Sequence, residues 1–97
     1  MTKNQGKTSD LYSAILKLEN EDMCIRFFQD LCTVSELRAI EQRFEVAKML
    51  NQGMIYHEIL EKTGASSATI SRVNRALHYG ADGYKDLFEV LEEDKES

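Results

Sequence analysis

Residues 56–79 of this 97-residue chain are the stretch that most constrains its fold. A short helical pattern ends at Gly64, and a second helical pattern begins near Ser67. A residue just past a helix end often takes a left-handed conformation, which glycine adopts without a steric penalty. Ser66 or Ser67 can then accept a hydrogen bond from the first amides of the second helix. Two helices joined by a short turn that contains glycine form a helix-turn-helix unit.

The side chains of the second helix indicate what this unit could bind. Ile70, Val73 and Leu77 are spaced as one buried face of a helix. The remaining positions carry short side chains near the helix start and basic ones further along: Ser67, Ala68, Thr69, Ser71, Arg72, Asn74 and Arg75. Short side chains let a helix approach base edges in the major groove, and arginine reaches guanine or phosphate. The pattern predicts a DNA-reading helix, and the alternative is an ordinary helix pair of an α-helical domain.

The charge distribution leaves this stretch locally positive, although the chain has a net charge of −5. No Asp or Glu occurs between Lys62 and Ala81. Residues 34–80 hold six basic and five acidic side chains, whereas residues 81–97 hold two basic and seven acidic ones. Because the acidic excess lies in the final segment, the overall acidity argues only weakly against nucleic acid as a partner.

Four further helices are predicted outside the helix-turn-helix, and no segment has the pattern of a strand. They cover about residues 10–19, 21–31, 34–51 and 82–93. Ser9 and Asn20 are the predicted N-caps of the first two, and residues 33–36 fit a Ser/Thr-x-x-Glu capping box at the third. We therefore expect one all-helical domain over residues 9–93, between a flexible N-terminus (1–8) and an acidic tail (94–97).

Apolar side chains on the first three helices predict association with a second copy. The predicted faces are Leu11, Ile15 and Leu18 in the first helix; Ile25, Phe28 and Leu31 or Cys32 in the second; and Leu37, Ile40, Phe44, Ala47 and Leu50 or Met49 in the third. The first two helices are too apolar to stand alone in water and must pack on the rest of the chain, on a second copy, or on both. Because a chain of 97 residues buries only a modest core, we expect a homodimer.

Several classes of protein are disfavoured by the sequence. Cys24 and Cys32 are eight positions apart, which is too far for a CxxC motif, and they are expected to be reduced core residues. His57 and His78 lie far from them in sequence, so no metal site is expected. No nucleophile–base set and no phosphate-binding glycine loop occurs, so we do not expect an enzyme. Without a membrane span or a signal-peptide core, the expected location is the cytoplasm.

Three segments resemble the Trp repressor superfamily, and more closely its YerC/YecD branch: SELRAIEQRFEVAKML, ILEKTGASSATISR and YKDLFEVL. With the preceding helices, the similarity covers about nine tenths of the chain, and GASSATISR is its most specific block. The resemblance implies a six-helix, Trp-repressor-like fold that forms an intertwined homodimer with two protruding reading heads. It also implies double-stranded DNA as the partner.

The resemblance further implies which residues contact DNA. On the family pattern these are His57 in the first helix of the unit and Ser67, Ala68, Thr69, Ser71 and Arg72 in the second. Ser66 and Arg75 complete the predicted DNA-binding set, in which Arg72 and Arg75 supply charge-assisted contacts.

The effector site of the family transfers less well to this chain. Tryptophan-binding members use two arginines, of which Arg72 matches one, while Arg43 matches the other if a one-residue gap is placed near residues 51–53. Those members have a glycine directly after the matching arginine, whereas this chain has Val73, and Ala76 replaces a pocket serine. Because a valine side chain would fill the space of the indole, we do not expect tryptophan as a corepressor or any other cofactor.

These observations favour a sequence-specific, DNA-binding transcriptional regulator that acts as a homodimer and represses transcription. The alternative is a helical protein-interaction adaptor that keeps the fold without binding DNA. The acidic tail and the presence of only two arginines in the second helix favour that alternative. A third possibility is a sensor whose small-molecule ligand controls DNA binding.

Overall fold

The structure is a computed structural model that describes residues 9–96. These residues form six α-helices and no strand. The helices are α1 (Leu11–Ile15), α2 (Glu21–Leu31), α3 (Val34–Asn51), α4 (Tyr56–Thr63), α5 (Ser67–Tyr79) and α6 (Gly83–Glu96). The predicted all-α class with six helices is confirmed. The prediction that residues 1–8 are flexible falls outside the described residues.

The chain divides into two units. Unit 1 runs up to Leu37 and contains α1, α2 and the start of α3, and unit 2 begins at Arg38 and contains the rest of α3 with α4, α5 and α6. The predicted helix-turn-helix lies entirely within unit 2.

Helix α1 is shorter than the sequence predicts, because it ends at Ile15 and not near residue 19. Beyond it, the amides of Lys17 and Leu18 donate to the carbonyls three residues back, at 3.0 and 3.1 Å. Such bonds are the tight turns that close a helix. Asn20 then has an extended backbone (φ −157°, ψ 173°), which is the conformation of an N-cap, so the start of α2 excludes a longer α1.

Side-chain caps set the starts of α2 and α3 as predicted. Asn20 Oδ1 accepts a hydrogen bond from the Met23 amide at 2.8 Å. At α3 the capping box is reciprocal, because the Thr33 amide donates to Glu36 Oε1 at 2.8 Å and the Glu36 amide donates to Thr33 Oγ1 at 3.1 Å. A cap of this kind contributes about 1 kcal/mol to helix stability.

No residue of α1 or α2 is fully buried. The predicted α2 face is only partly correct, since Phe28 is half-buried whereas Ile25 and Leu31 are about half exposed. Leu16, the C-cap residue directly after α1, is 84% exposed. Large apolar side chains that stay exposed in this way suit an interaction with another surface.

The core of unit 2 joins α3 to the helix-turn-helix. Its fully buried members are Val46, Ala47, Ile59, Ala65, Ile70 and Val73, and Met49, Leu50, Met54, Tyr84 and Phe88 pack against them. The sequence analysis did not place Val46 in this core, and the predicted Ile40 is 41% exposed. Apolar residues occur on more than one face of α3, so periodicity alone does not identify the side that is buried in the core.

A glycine between α5 and α6 is required by a close approach of the backbone. A Cβ atom on Gly80 would collide with the carbonyl oxygen of Ala76 in the last turn of α5. Asp82 follows with a φ of 67°, a left-handed conformation that is uncommon for a residue with a side chain. The chain thus turns sharply between these two helices.

Helix α6 extends three residues beyond the predicted end at residue 93. Tyr84 and Phe88 anchor its first half on the core, with their rings stacked at a centroid distance of 6.0 Å. Leu87 and Leu91, two further apolar residues of this helix, are 44% and 40% exposed. Across residues 9–96, no helix combines the length and apolar character needed to cross a bilayer.

Candidate nucleic-acid interface

Helices α4 and α5 form the predicted helix-turn-helix. Gly64 has the left-handed conformation (φ 72°, ψ 7°), and its amide donates to the carbonyl oxygen of Leu60 at 2.9 Å. Ser66 has an extended backbone, and its Oγ accepts a hydrogen bond from the Thr69 amide at 3.1 Å. Of the two serines that the sequence left open, Ser66 is therefore the N-cap, and Ser67 is the first residue of the helix.

Thr63 fixes the turn between the two helices. Its hydroxyl donates to the carbonyl oxygen of Ile59 at 2.7 Å and accepts from the amide of Ala65 at 3.1 Å. The carbonyl oxygen of Thr63 accepts a hydrogen bond from Nε2 of Gln42 on α3 at 3.2 Å. These bonds, together with the burial of Ala65, hold α5 at a defined position on the core.

The two faces of α5 differ as the sequence predicts. Ile70, Val73 and Leu77 are at most 5% exposed. The predicted contact residues of this helix that are exposed are Ser67, Ala68, Ser71, Arg72 and Arg75. Thr69 is half-buried, so it lies at the border of the exposed face and not opposite Ile70.

The basic side chains of the helix-turn-helix are available to a ligand. Within residues 9–96, Lys62, Arg72 and Arg75 form no ion pair. The ion pairs that do form there join Arg26 to Asp22, Lys48 to Glu45, His57 to Glu61 and Lys85 to Asp82. Unpaired guanidinium groups on an exposed helix face suit charge-assisted contacts to phosphate or guanine.

His57, the predicted contact residue on α4, lies beside an acidic side chain. Its Nε2 is 3.4 Å from Oε2 of Glu61, and both side chains are exposed. The carboxylate orients the imidazole ring and offsets any positive charge that the ring acquires. His57 is therefore placed to form a hydrogen bond, but it adds little net positive charge to this surface.

One exposed residue of the same surface is missing from the predicted set. Ala68, Arg72, Arg75 and Tyr79 follow at spacings of four, three and four, so they align along one side of α5. Tyr79 is 87% exposed. Its phenol hydroxyl can donate to a phosphate oxygen, and the spacing from Arg75 is the signal that could have identified it.

The two predicted effector residues do not line the groove beside the end of α3. This open groove, of about 500 Å³, lies between the end of α3 and α6 and is lined by Lys48, Asn51, Gln52, Phe88, Leu91, Glu92, Asp94 and Lys95. Arg43 is half-buried on α3, Arg72 is exposed on α5, and neither is part of that lining. Val73 is 2% exposed and belongs to the packed core.

The cysteine and metal-ligand side chains form no further site in the described chain. Cys24 and Cys32 are free thiols and are half-buried. Within residues 9–96, no group of three His, Cys, Asp or Glu side chains is arranged to hold a metal ion.

Comparison with known proteins identifies the family. The family model described as Trp repressor protein matches residues 7–92. This chain belongs to the Trp repressor family. The YerC protein of Bacillus subtilis (strain 168), which is described as uncharacterized, is 50% identical over 92 residues, which are 94% of this chain and 88% of YerC.

Two solved structures of the Trp repressor type have the same fold. A TrpR-like protein from Eubacterium eligens ATCC 27750 is 53% identical, has a TM-score of 0.84, and covers 92% of this chain and 95% of its own. A candidate Trp repressor from Staphylococcus aureus is 48% identical, has a TM-score of 0.82, and covers 86% of this chain and 83% of its own. The Trp repressor family has a transcription-regulator fold and is not an enzyme family.

Proposed function

We propose that this member of the Trp repressor family binds double-stranded DNA in a sequence-specific manner as a homodimer and represses transcription. The observation that carries the proposal is the exposed side of α5. There Ala68, Arg72 and Arg75 are aligned, and neither arginine forms an ion pair within residues 9–96. No acidic residue occurs between Lys62 and Ala81, so nothing in that stretch repels a phosphate backbone.

The dimensions of α5 support base contacts at the start of the helix and phosphate contacts further along it. From Ala68 to Arg75 an α-helix rises about 10 Å, which is close to the width of about 12 Å of the major groove. With the helix start in the groove, the short side chains of Ser67, Ala68 and Ser71 face base edges. Arg75 then lies near the phosphate rim, and Arg72 lies between the two regions.

The exposed apolar surface of unit 1 supports the homodimer. Leu16 at the end of α1 and Ile25 and Leu31 on α2 are between 48% and 84% exposed in the single chain. A second copy of the chain covers this surface with the same surface of its own. The resulting two-fold symmetry presents two reading helices to two half-sites about 34 Å apart. A regulator of this kind acts where the chromosome is, so we place it in the cytoplasm.

Tryptophan is not part of this proposal as a corepressor. The burial of Val73 in the core of unit 2 supports this view, because its side chain occupies the position at which tryptophan-binding members have glycine. Regulation by DNA binding alone is the simpler proposal, and no cofactor is assigned.

The test is selection of bound sequences from a random DNA library, followed by affinity measurements on the enriched site. The expected result is a two-fold symmetric site whose affinity falls with salt and falls further when Arg72 is replaced by alanine. The rival adaptor function is favoured by the exposed Leu87, Val90 and Leu91 on the acidic helix α6. No enriched sequence, together with an affinity that is insensitive to salt, would contradict the regulator and favour the adaptor.

A further inference from the structure

Two hydroxyl groups are coupled at the start of α5. Ser66 Oγ lies 3.1 Å from Thr69 Oγ1 and donates a hydrogen bond to it. The same Ser66 oxygen accepts from the Thr69 amide at 3.1 Å. Ser66 therefore contacts Thr69 twice, once through the backbone as an N-cap and once through the side chain.

The direction of these bonds leaves the Thr69 hydroxyl free to donate a hydrogen bond. The bonds run from the Thr69 amide to Ser66 Oγ and from the Ser66 hydroxyl to Thr69 Oγ1, and each bond polarises the next. The Thr69 oxygen is thus already an acceptor, and within residues 9–96 its own proton has no acceptor. Thr69 thus keeps an unused O–H donor near the start of α5, the end of the helix that is proposed to enter the groove.

We infer that Ser66 is a positioning residue for base selection, because it fixes the Thr69 hydroxyl as a donor toward the DNA. This inference rests on the proposed DNA binding. In the major groove, guanine, adenine and thymine each offer an acceptor, whereas cytosine offers only its amino donor. At the position that it contacts in each half-site, Thr69 therefore favours guanine, adenine or thymine over cytosine.

The Ser66→Asn variant tests the direction of the bond between the two hydroxyl groups and keeps the N-cap of α5. Asparagine is as good an N-cap as serine, and it is uncharged, so α5 stays folded and the DNA backbone meets no new charge. The asparagine side-chain oxygen that caps the helix also accepts a hydrogen bond from the Thr69 hydroxyl. The Thr69 proton is then used within the protein, and the lone pairs of Thr69 Oγ1 are left for the DNA. A Ser66→Gly variant releases the hydroxyl altogether at a small cost to the cap.

The measurement is selection from random DNA with wild type, Thr69→Val, Ser66→Asn and Ser66→Gly, with thermal unfolding of each variant as the check on folding. Thr69→Val identifies the position that Thr69 contacts, since preferences change there. At that position, wild type disfavours cytosine, and both Ser66 variants raise the frequency of cytosine relative to the best base about fivefold or more.

A double variant separates this role from simple capping. If Ser66 acts through Thr69, Ser66→Asn changes nothing further at that position when Thr69 is already valine. If wild type selects a site but the Ser66 variants do not raise the frequency of cytosine, the inference fails while the proposed function stands. If wild type selects no sequence at all, the proposed function and this inference fall together.

Discussion

Gln42 on α3 donates a 3.2 Å hydrogen bond from its side-chain amide to the main-chain oxygen of Thr63, 21 residues later at the end of α4. This bond connects the longest helix to the turn that orients α5. The main-chain oxygen of Thr63 is one of the carbonyls that a helix end leaves without a partner, so Gln42 satisfies a group that would otherwise be exposed or orphaned.

Replacement of Gln42 by methionine, which has a similar shape, should lower the free energy of unfolding by about 1 kcal/mol. The lost hydrogen bond leaves the Thr63 carbonyl half-buried and unpaired. Urea denaturation measures the change, and Gln52→Met is the control because the exposed Gln52 side chain makes no hydrogen bond within residues 9–96. Equal stability losses in the two variants would contradict a structural role for the Gln42 bond.

Arg75→Ala should weaken binding to all DNA sequences about equally. Contacts to phosphate carry no sequence information, and each one releases counterions, so the slope of log affinity against log salt should fall by about 1 per lost contact. With Lys62, Arg72 and Arg75 from both subunits as the upper limit, the wild-type slope should be no steeper than about −5. Fluorescence anisotropy titrations at several salt concentrations give these slopes.

The control for this experiment is Arg26→Ala. Arg26 lies on α2, where its Nε pairs with Asp22 at 2.9 Å, so its loss should leave the salt slope unchanged. A change in base preference with Arg75→Ala, instead of a uniform loss, would show that Arg75 reads bases.

The starts of α2, α3 and α5 could be predicted from the sequence because their chemistry is local, whereas the N-cap of α1 is Asp10 and not the predicted Ser9. Asn20, Thr33 with Glu36, and Ser66 each bond an amide three residues away, and Gly64 needs only its own left-handed conformation. The bond from Gln42 to Thr63 could not be predicted in this way, because it depends on how α3 packs against the turn. The exposed face of α5 followed from its periodicity, but the Ser66–Thr69 hydroxyl pair depends on side-chain rotamers.

A charged side chain at Ile25 should shift the protein from dimer to monomer. Ile25 is 48% exposed on α2, and an Ile25→Glu change places a carboxylate on the surface that we propose a second copy covers. Light scattering at micromolar concentration should return twice the chain mass of 11.1 kDa for wild type and close to that mass for the variant.

The matched control is Leu60→Glu on α4. Leu60 is 43% exposed, a fraction close to that of Ile25, but it lies in the helix-turn-helix and not on the proposed interface. Dissociation of both variants, or a wild type that scatters as a single chain, would overturn this assignment of the interface.

Val73→Gly should destabilise the protein and should not create a tryptophan site. Val73 is packed among core residues, so its removal leaves a cavity, and glycine in a helix interior adds its own cost, for a total of about 2–4 kcal/mol. Ala76→Gly, at an exposed position of the same helix, should cost only about 1 kcal/mol. Denaturation gives both values, and calorimetric detection of micromolar tryptophan binding by wild type would refute the proposed absence of this corepressor.

Gly80 limits the routes by which this chain can evolve. Even alanine, the smallest change, brings a methyl group against the carbonyl oxygen of Ala76 and forces the last turn of α5 to move. A lineage that loses this glycine must therefore rebuild the junction with α6 in the same step, whereas the exposed Ala81 next to it can drift. Descendants of this gene should keep glycine at that position long after the exposed residues of α5 have changed.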